Sequence, residues 1–294
     1  MFKRLIPLLF AFTLMLGLGA YWLLYFTGNN TEFAKGHRYL VTIKPGMTTA
    51  DIADLLHKKH LVKTPEAFRM EARLRGLAGK LEAEGLGDAR KFEEAARNYT
   101  PYPYMETHNP DVIFKAEGFI YPTTYHLDPD MSEKDILALM VRTFNAEMNK
   151  ENIPSLAKEK NMDLRDLVNL AAMVELEAVF PEEQARIAGV FLKRLHIYMP
   201  IQSDTTIQYL LGSQKEEVTI ADTKIKSPYN TYQNPGLPPG PIASPGMSAI
   251  KACLNPEVTD YLYFVAEKDG HHRFTKTYRE HLKAIEDIHK DDNK

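Results

Sequence analysis

From Leu167 to Ala178 the chain reads LVNLAAMVELEA, and on a helix of 3.6 residues per turn this stretch leaves almost no polar face. Such a helix is not stable on a surface, so other elements must pack around most of it. Asp163 supplies the N-cap that starts it. Two glutamates interrupt the run. Glu175 and Glu177 project about 200° apart, one on each shoulder of the stripe formed by Leu167, Ala171, Val174 and Ala178. They cannot share one proton, and each needs its own reason to be there, because burying a carboxyl is costly unless it is hydrogen-bonded or protonated. Two readings are open at this point: structural hydrogen bonds or ion pairs, with Arg186 and Arg194 as candidate cations, or acid chemistry.

A carboxylic acid in an apolar wall suits glycosidic bond cleavage. Desolvation raises its pKa toward neutrality, so the proton is still present when the leaving oxygen needs it. A sugar hydrolase usually holds a second carboxylate across the ring, and none can be named here. With a single acid, the attacking group comes from the sugar, whose own 6-hydroxyl is already held in place. Other chemistries lose support. The chain has no Gly-rich phosphate loop ending in Lys-Ser or Lys-Thr, no Gly-x-Ser-x-Gly and no His-Glu-x-x-His. The adjacent His271 and His272 lack a spaced third ligand and read as polar surface or loop residues, so no metal site is expected. Cys253 is the one cysteine; it excludes an internal disulfide and a Cys-rich metal site and reads as a small buried side chain. A net charge of −3 gives no field that would gather a polyanion, and nucleic acid is not an expected partner.

The N-terminus carries the second strong constraint. Leu5 to Phe26 is 22 residues without a charge, directly after Lys3 and Arg4, long enough to span a hydrocarbon core. The basic pair places the tip, residues 1–4, in the cytoplasm and the rest of the chain outside. A cleaved leader would need Gly17 to Ala20 as its cleavage site. The apolar run continues instead through Tyr21, Trp22, Tyr25 and Phe26, an interfacial belt that suits a retained anchor. Residues 27–37 read as a tether.

A small α/β unit is expected over 38–100: a strand at Tyr39–Ile43, a turn at Pro45-Gly46, a helix capped by Thr48 or Thr49 with Ile52, Leu55 and Leu56 on one face, and another opened by Thr64-Pro65-Glu66. It is too short to carry much core alone. Tyr99-Thr-Pro-Tyr-Pro-Tyr104 reads as an extended connection into a main domain over 101–294, where Ser132 caps a helix through Ile136, Leu137, Met140 and Phe144.

Beyond the central helix, polar and aromatic residues cluster: Gln202-Ser-Asp-Thr-Thr206, Tyr229-Asn-Thr-Tyr232, then Gly236-Leu-Pro-Pro-Gly-Pro-Ile242 and Ser244-Pro-Gly246. Prolines fix φ and glycines permit close approach, so the last part is a rigid, shaped loop. Tyrosine faces beside amides and hydroxyls suit sugar rings; the alternative is an ordinary structural loop.

Taken with Val174-Glu-Leu-Glu-Ala178, Ile187-Ala-Gly-Val-Phe-Leu-Lys-Arg-Leu195, Tyr261-Leu-Tyr-Phe-Val265, Glu117-Gly-Phe119 and Tyr121-Pro122, these motifs resemble the YceG-like family over about 113 to 285. The resemblance implies an α+β fold: a transmembrane helix, a lysin-motif-like module and an α+β lytic transglycosylase domain. It implies cleavage of peptidoglycan glycan strands beside the inner membrane, with a 1,6-anhydro-muramic end and no cofactor. The second glutamate of the family's Glu-x-Glu, here Glu177, would be the acid. Glu175, Gln202, Ser203, Asp204, Thr206, Tyr229, Asn230, Thr231, Tyr232, Pro238, Pro239, Gly240 and His272 form the expected glycan-binding set. Expected partners are nascent glycan strands, the membrane and peptidoglycan synthases. One departure concerns the module: Leu81-Glu-Ala83 runs directly into Glu84-Gly-Leu-Gly-Asp88, which makes it shorter than the family pattern. A hydrolytic muramidase and a non-catalytic glycan-binding scaffold are the rival readings.

Overall fold

A computed structural model of the chain describes residues 39–45, 47, 95–127, 132–211 and 218–291. The expected anchor, the tether and the two helices expected between 48 and 94 lie outside the described residues. The fold is α+β. In chain order come β1 (Tyr39–Thr42), a 3-10 turn at Pro103–Met105, β2 (Thr124–Leu127), α1 (Glu133–Lys150), α2 (Ile153–Glu159) and α3 (Leu164–Glu177). A 3-10 turn at Pro181–Glu183 follows, then α4 (Gln184–His196), α5 (Asp204–Leu211), a 3-10 turn at Asp222–Lys224, α6 (Met247–Leu254), β3 (Tyr263–Ala266), β4 (His272–Thr275) and α7 (Tyr278–Asp291).

The apolar helix is the centre. Every residue from Leu167 to Val174 is buried, and α2, α4, α5 and α6 all pack against α3. The Asp163 carboxylate accepts from the N–H groups of Arg165 and Asp166 and starts the helix. It stops at Glu177, where Ala178 turns extended (φ −83°, ψ 113°) and Pro181 lies three residues on. Asn169, polar and 2% exposed, is accommodated because its Nδ2 donates to the Pro238 carbonyl at 2.7 Å. Before α3, Ser132 and Asp135 form a reciprocal capping box on α1. Its Phe144 meets Phe119 edge-on at 5.7 Å in the core.

Among the described residues both sheets are antiparallel pairs. In the first, β1 joins β2 with Tyr39 opposite Leu127 and Thr42 opposite Thr124. The Ile43 N–H extends the ladder to Thr123 O at 2.6 Å, and Ser244 N–H donates to Met47 O at 3.0 Å. The strand expected in the N-terminal unit is therefore sheet-bonded to the chain beyond residue 100, and Ile43, 1% exposed, belongs to the common core. In the second sheet β3 and β4 form a hairpin, Tyr263 opposite Thr275 and Ala266 opposite His272, with α7 laid across it. Gly118 joins the Glu117-Gly-Phe119 motif to the Pro-rich loop. Its φ is +84°, and a Cβ there would stand 2.4 Å from the Pro241 Cβ, so only glycine fits.

Candidate active site

The last turn of α3 delivers two carboxyls to two different places. Glu175 Oε2 accepts from the Gly246 N–H at 3.0 Å, at the N-terminus of α6, where unpaired N–H groups and the helix dipole favour an anion. Burial pushes its pKa up and the Gly246 N–H pulls it back. Glu177, on the other shoulder, faces the polar run that precedes α5. Its Oε1 accepts from Ser203 Oγ at 2.5 Å, and Ser203 Oγ also meets Thr205 Oγ1 at 2.5 Å.

The backbone around Ser203 is held from several sides. Gln202 adopts φ +51°, a left-handed conformation that non-glycine residues seldom take; it turns the chain so that Asp204 can begin α5. The Ser203 N–H donates to Thr231 Oγ1 at 3.1 Å, the Gln202 N–H to Thr231 O at 3.1 Å, and Thr206 Oγ1 meets Thr231 Oγ1 at 3.0 Å. Arg194, on α4, donates from Nη1 to Ile201 O and from Nε to Leu262 O. Neither candidate cation forms an ion pair with the α3 glutamates: Arg194 spends its donors on carbonyls, and Arg186 Nε pairs with Glu257 at 2.9 Å.

Burial is what sets the electrostatics of Glu177. It pushes the carboxyl above the usual glutamate range; the Ser203 hydroxyl lowers it, the Asp204 charge raises it, and His272 and Arg194 lower it. Asp204 accepts from the Tyr232 hydroxyl at 2.5 Å, which holds a half-buried tyrosine close to the acid. The result is an oriented carboxyl of raised pKa, with a hydroxyl bridge on one oxygen and an aromatic neighbour.

The other expected site residues divide by burial. Thr206, Asn230 and Thr231 are at most 1% exposed and act as internal framework. Asn230 Nδ2 donates to the carbonyls of Thr223 and Ile225, and its Oδ1 accepts from Tyr232 N–H; it shapes the loop that carries Tyr232. Tyr229, 4% exposed, packs on Tyr209 with ring centroids 5.2 Å apart, beside Gly240 and Arg165. The Pro238–Gly240 segment lies against Asn169 and Arg165 on α3, about 12 Å along the helix from Glu177 at 1.5 Å per residue. Of these, Thr206 and Thr231 bond at the Ser203 turn. The ones gathered at Glu177 are Ser203, Asp204, Tyr232 and His272.

His272 departs from the expectation of a surface or loop histidine. Its side chain is 5% exposed and bonds Glu183, whose side chain is 8% exposed. Tertiary pairing overrides the polar look of His271-His272. His271 is the outer one, stacked on Phe180 at 3.9 Å. Glu183 was not legible as a site residue, because Pro181-Glu-Glu-Gln184 reads as an ordinary acidic helix start.

A half-buried carboxyl of raised pKa at the end of a packed helix, on an α+β scaffold with hydroxyl and aromatic side chains around it, is an arrangement that could serve general-acid chemistry. The chain belongs to the YceG-like family, whose model matches residues 43–287. It is 40% identical over 202 residues to a Bacillus subtilis protein named endolytic murein transglycosylase, covering 68% of this chain and 56% of that one. A Streptococcus pneumoniae protein of the same name is 37% identical over 161 residues, 52% of this chain and 28% of that one. The chain thus spans about half the length of the first relative and less of the second. A crystal structure of a yceG-like protein from Listeria monocytogenes superposes with a TM-score of 0.67 at 31% identity, covering 85% of this chain and 76% of the other.

Proposed function

We propose that this chain is a membrane-anchored endolytic lytic transglycosylase that cuts nascent peptidoglycan strands and so limits their length. The observation that carries the reading is Glu177: a carboxyl raised by burial and oriented by Ser203. The names of the relatives in Bacillus subtilis and Streptococcus pneumoniae support the same substrate class.

In this mechanism protonated Glu177 gives its proton to the oxygen joining C1 of N-acetylmuramic acid to N-acetylglucosamine, and the C1–O bond breaks. The Glu177 carboxylate then takes the proton of the muramic 6-hydroxyl as that oxygen bonds to C1. Glu177 ends protonated, the glucosamine leaves with a free hydroxyl, and the strand ends in 1,6-anhydro-muramic acid. Ser203 would hold the acid through its hydroxyl, and Tyr232, bonded to Asp204 beside it, would meet the sugar. The uncharged run Leu5–Phe26 would hold the domain on the outer face of the cytoplasmic membrane, near the synthases that extrude new strands.

Mass spectrometry of fragments released from purified sacculi tests this. The full chain should release anhydro-muramic ends, and Glu177→Gln, folded, should release none, because an amide keeps the shape and cannot pass a proton. Reducing muramic ends would establish a hydrolytic muramidase instead. No release by the folded wild-type chain, with binding retained, would establish a glycan-binding scaffold.

A further inference from the structure

Glu183 sits in the 3-10 turn that follows Glu177, and its carboxylate is committed to a residue from the far end of the chain. Oε1 accepts from the His272 backbone N–H at 3.0 Å, and Oε2 meets His272 Nδ1 at 2.8 Å. The two side chains are 8% and 5% exposed, and Phe264 stands edge-on to the imidazole at 5.3 Å. An ionised carboxylate only accepts. Nδ1 is then the protonated ring nitrogen and Nε2 is left for another partner. The imidazole lies within electrostatic reach of the Glu177 carboxyl. Stability alone is a poor reason for this arrangement, since an apolar pair of similar volume joins two elements at least as well as a buried polar one.

We propose that Glu183 is a positioning residue: it clamps His272 in the Nδ1–H tautomer and presents Nε2 beside Glu177 as a hydrogen-bond acceptor for a hydroxyl of the glycan. The proposal rests on the glycan-cleaving reading and adds to it a second contact at the bond being cut. Glu183 itself touches no sugar. Its part resembles that of the carboxylate that orients a catalytic histidine in other enzymes.

Nitrogen-15 NMR of the histidine-labelled full chain in detergent, with His272 assigned through His272→Asn, tests it. The wild-type spectrum should show Nδ1 protonated and Nε2 bare. In Glu183→Gln one acceptor oxygen faces two donors, and the tautomer should invert or mix. Adding soluble glycan strands to the uncleaving Glu177→Gln protein should shift the Nε2 resonance. Turnover on sacculi should fall at least about tenfold in Glu183→Gln and in His272→Asn. The latter should keep a near wild-type Tm, because its amide N–H replaces Nδ1–H. An Nε2–H tautomer in the wild type, or an Nε2 resonance unmoved by glycan in folded Glu177→Gln, overturns the proposal, and the first of these is read on the wild-type chain itself. Full turnover in folded His272→Asn overturns it too while leaving the cleavage reading intact. A wild-type chain that releases nothing, so that Glu177→Gln has no activity to lose, overturns both.

Discussion

Ionising Glu177 takes a charge out of water and returns little more than the bond from Ser203 Oγ, so its folded pKa stands above the unfolded one. The sign of the linkage follows. Between the ordinary glutamate value and the raised one, the folded chain binds more protons than the unfolded chain, and stability falls as pH rises through that window. Glu177→Gln removes the titration. It should raise Tm at pH 7 by up to about 3 °C, with the gain disappearing below about pH 4; a scan showing no gain at neutral pH would mean that the carboxyl is held at no cost. Ser203→Ala removes a bond that lowers the Glu177 pKa. The alkaline limb of the pH–rate profile, where the acid loses its proton, should move to higher pH, and a limb moving the other way would reverse the assignment of that bond.

At the scale of elements, the joint between α3 and α6 depends on Glu175. Its carboxylate takes the Gly246 N–H that the helix start leaves unpaired, as an N-cap side chain would. Deleting it in Glu175→Ala should cost about 1–2 kcal/mol by urea denaturation. Glu175→Gln keeps the acceptor and should cost less than half of that. Both should retain more cleavage than Glu177→Gln, because the two side chains serve opposite shoulders of one helix. The neighbouring α4 has a tight joint of its own: a Cβ on Gly189 would lie 2.2 Å from Glu257 O, so the chain around Glu257 rests directly on the helix backbone. That contact leads on to Leu262, whose carbonyl holds Arg194, and through Arg194 to Ile201 and the Ser203 turn.

For the molecule as a whole, the proposed anchor would limit function through position. If Leu5–Phe26 is retained, the tether of residues 27–37 reaches about 35 Å when fully extended, and the strand at Tyr39 is tied to the body of the fold through β2. The site then works close to the bilayer, where new strands emerge. The full chain should stay in membranes through high-salt and carbonate washes and keep its N-terminus; recovery of a soluble form beginning near Tyr21 would remove the membrane-proximal role.

Local pattern alone determined the parts that depend on one stretch of chain. The period of the apolar residues from Leu167 to Val174 required an internal helix, Asp163 and Ser132 marked helix starts, and the 200° between Glu175 and Glu177 separated their environments. Ordered motifs were enough to identify the family. Tertiary structure decided which residues meet. Tyr229, Asn230 and the Pro238–Gly240 segment have the composition of a sugar site; only the structure shows that Tyr229 and Asn230 are buried and that Asn230 bonds loop carbonyls, because polar side chains that do so look the same in sequence as those that would bond a ligand. Glu183 and His272 are 89 positions apart, and no local signal connects residues that only the docking of a hairpin onto the end of a helix brings within 2.8 Å.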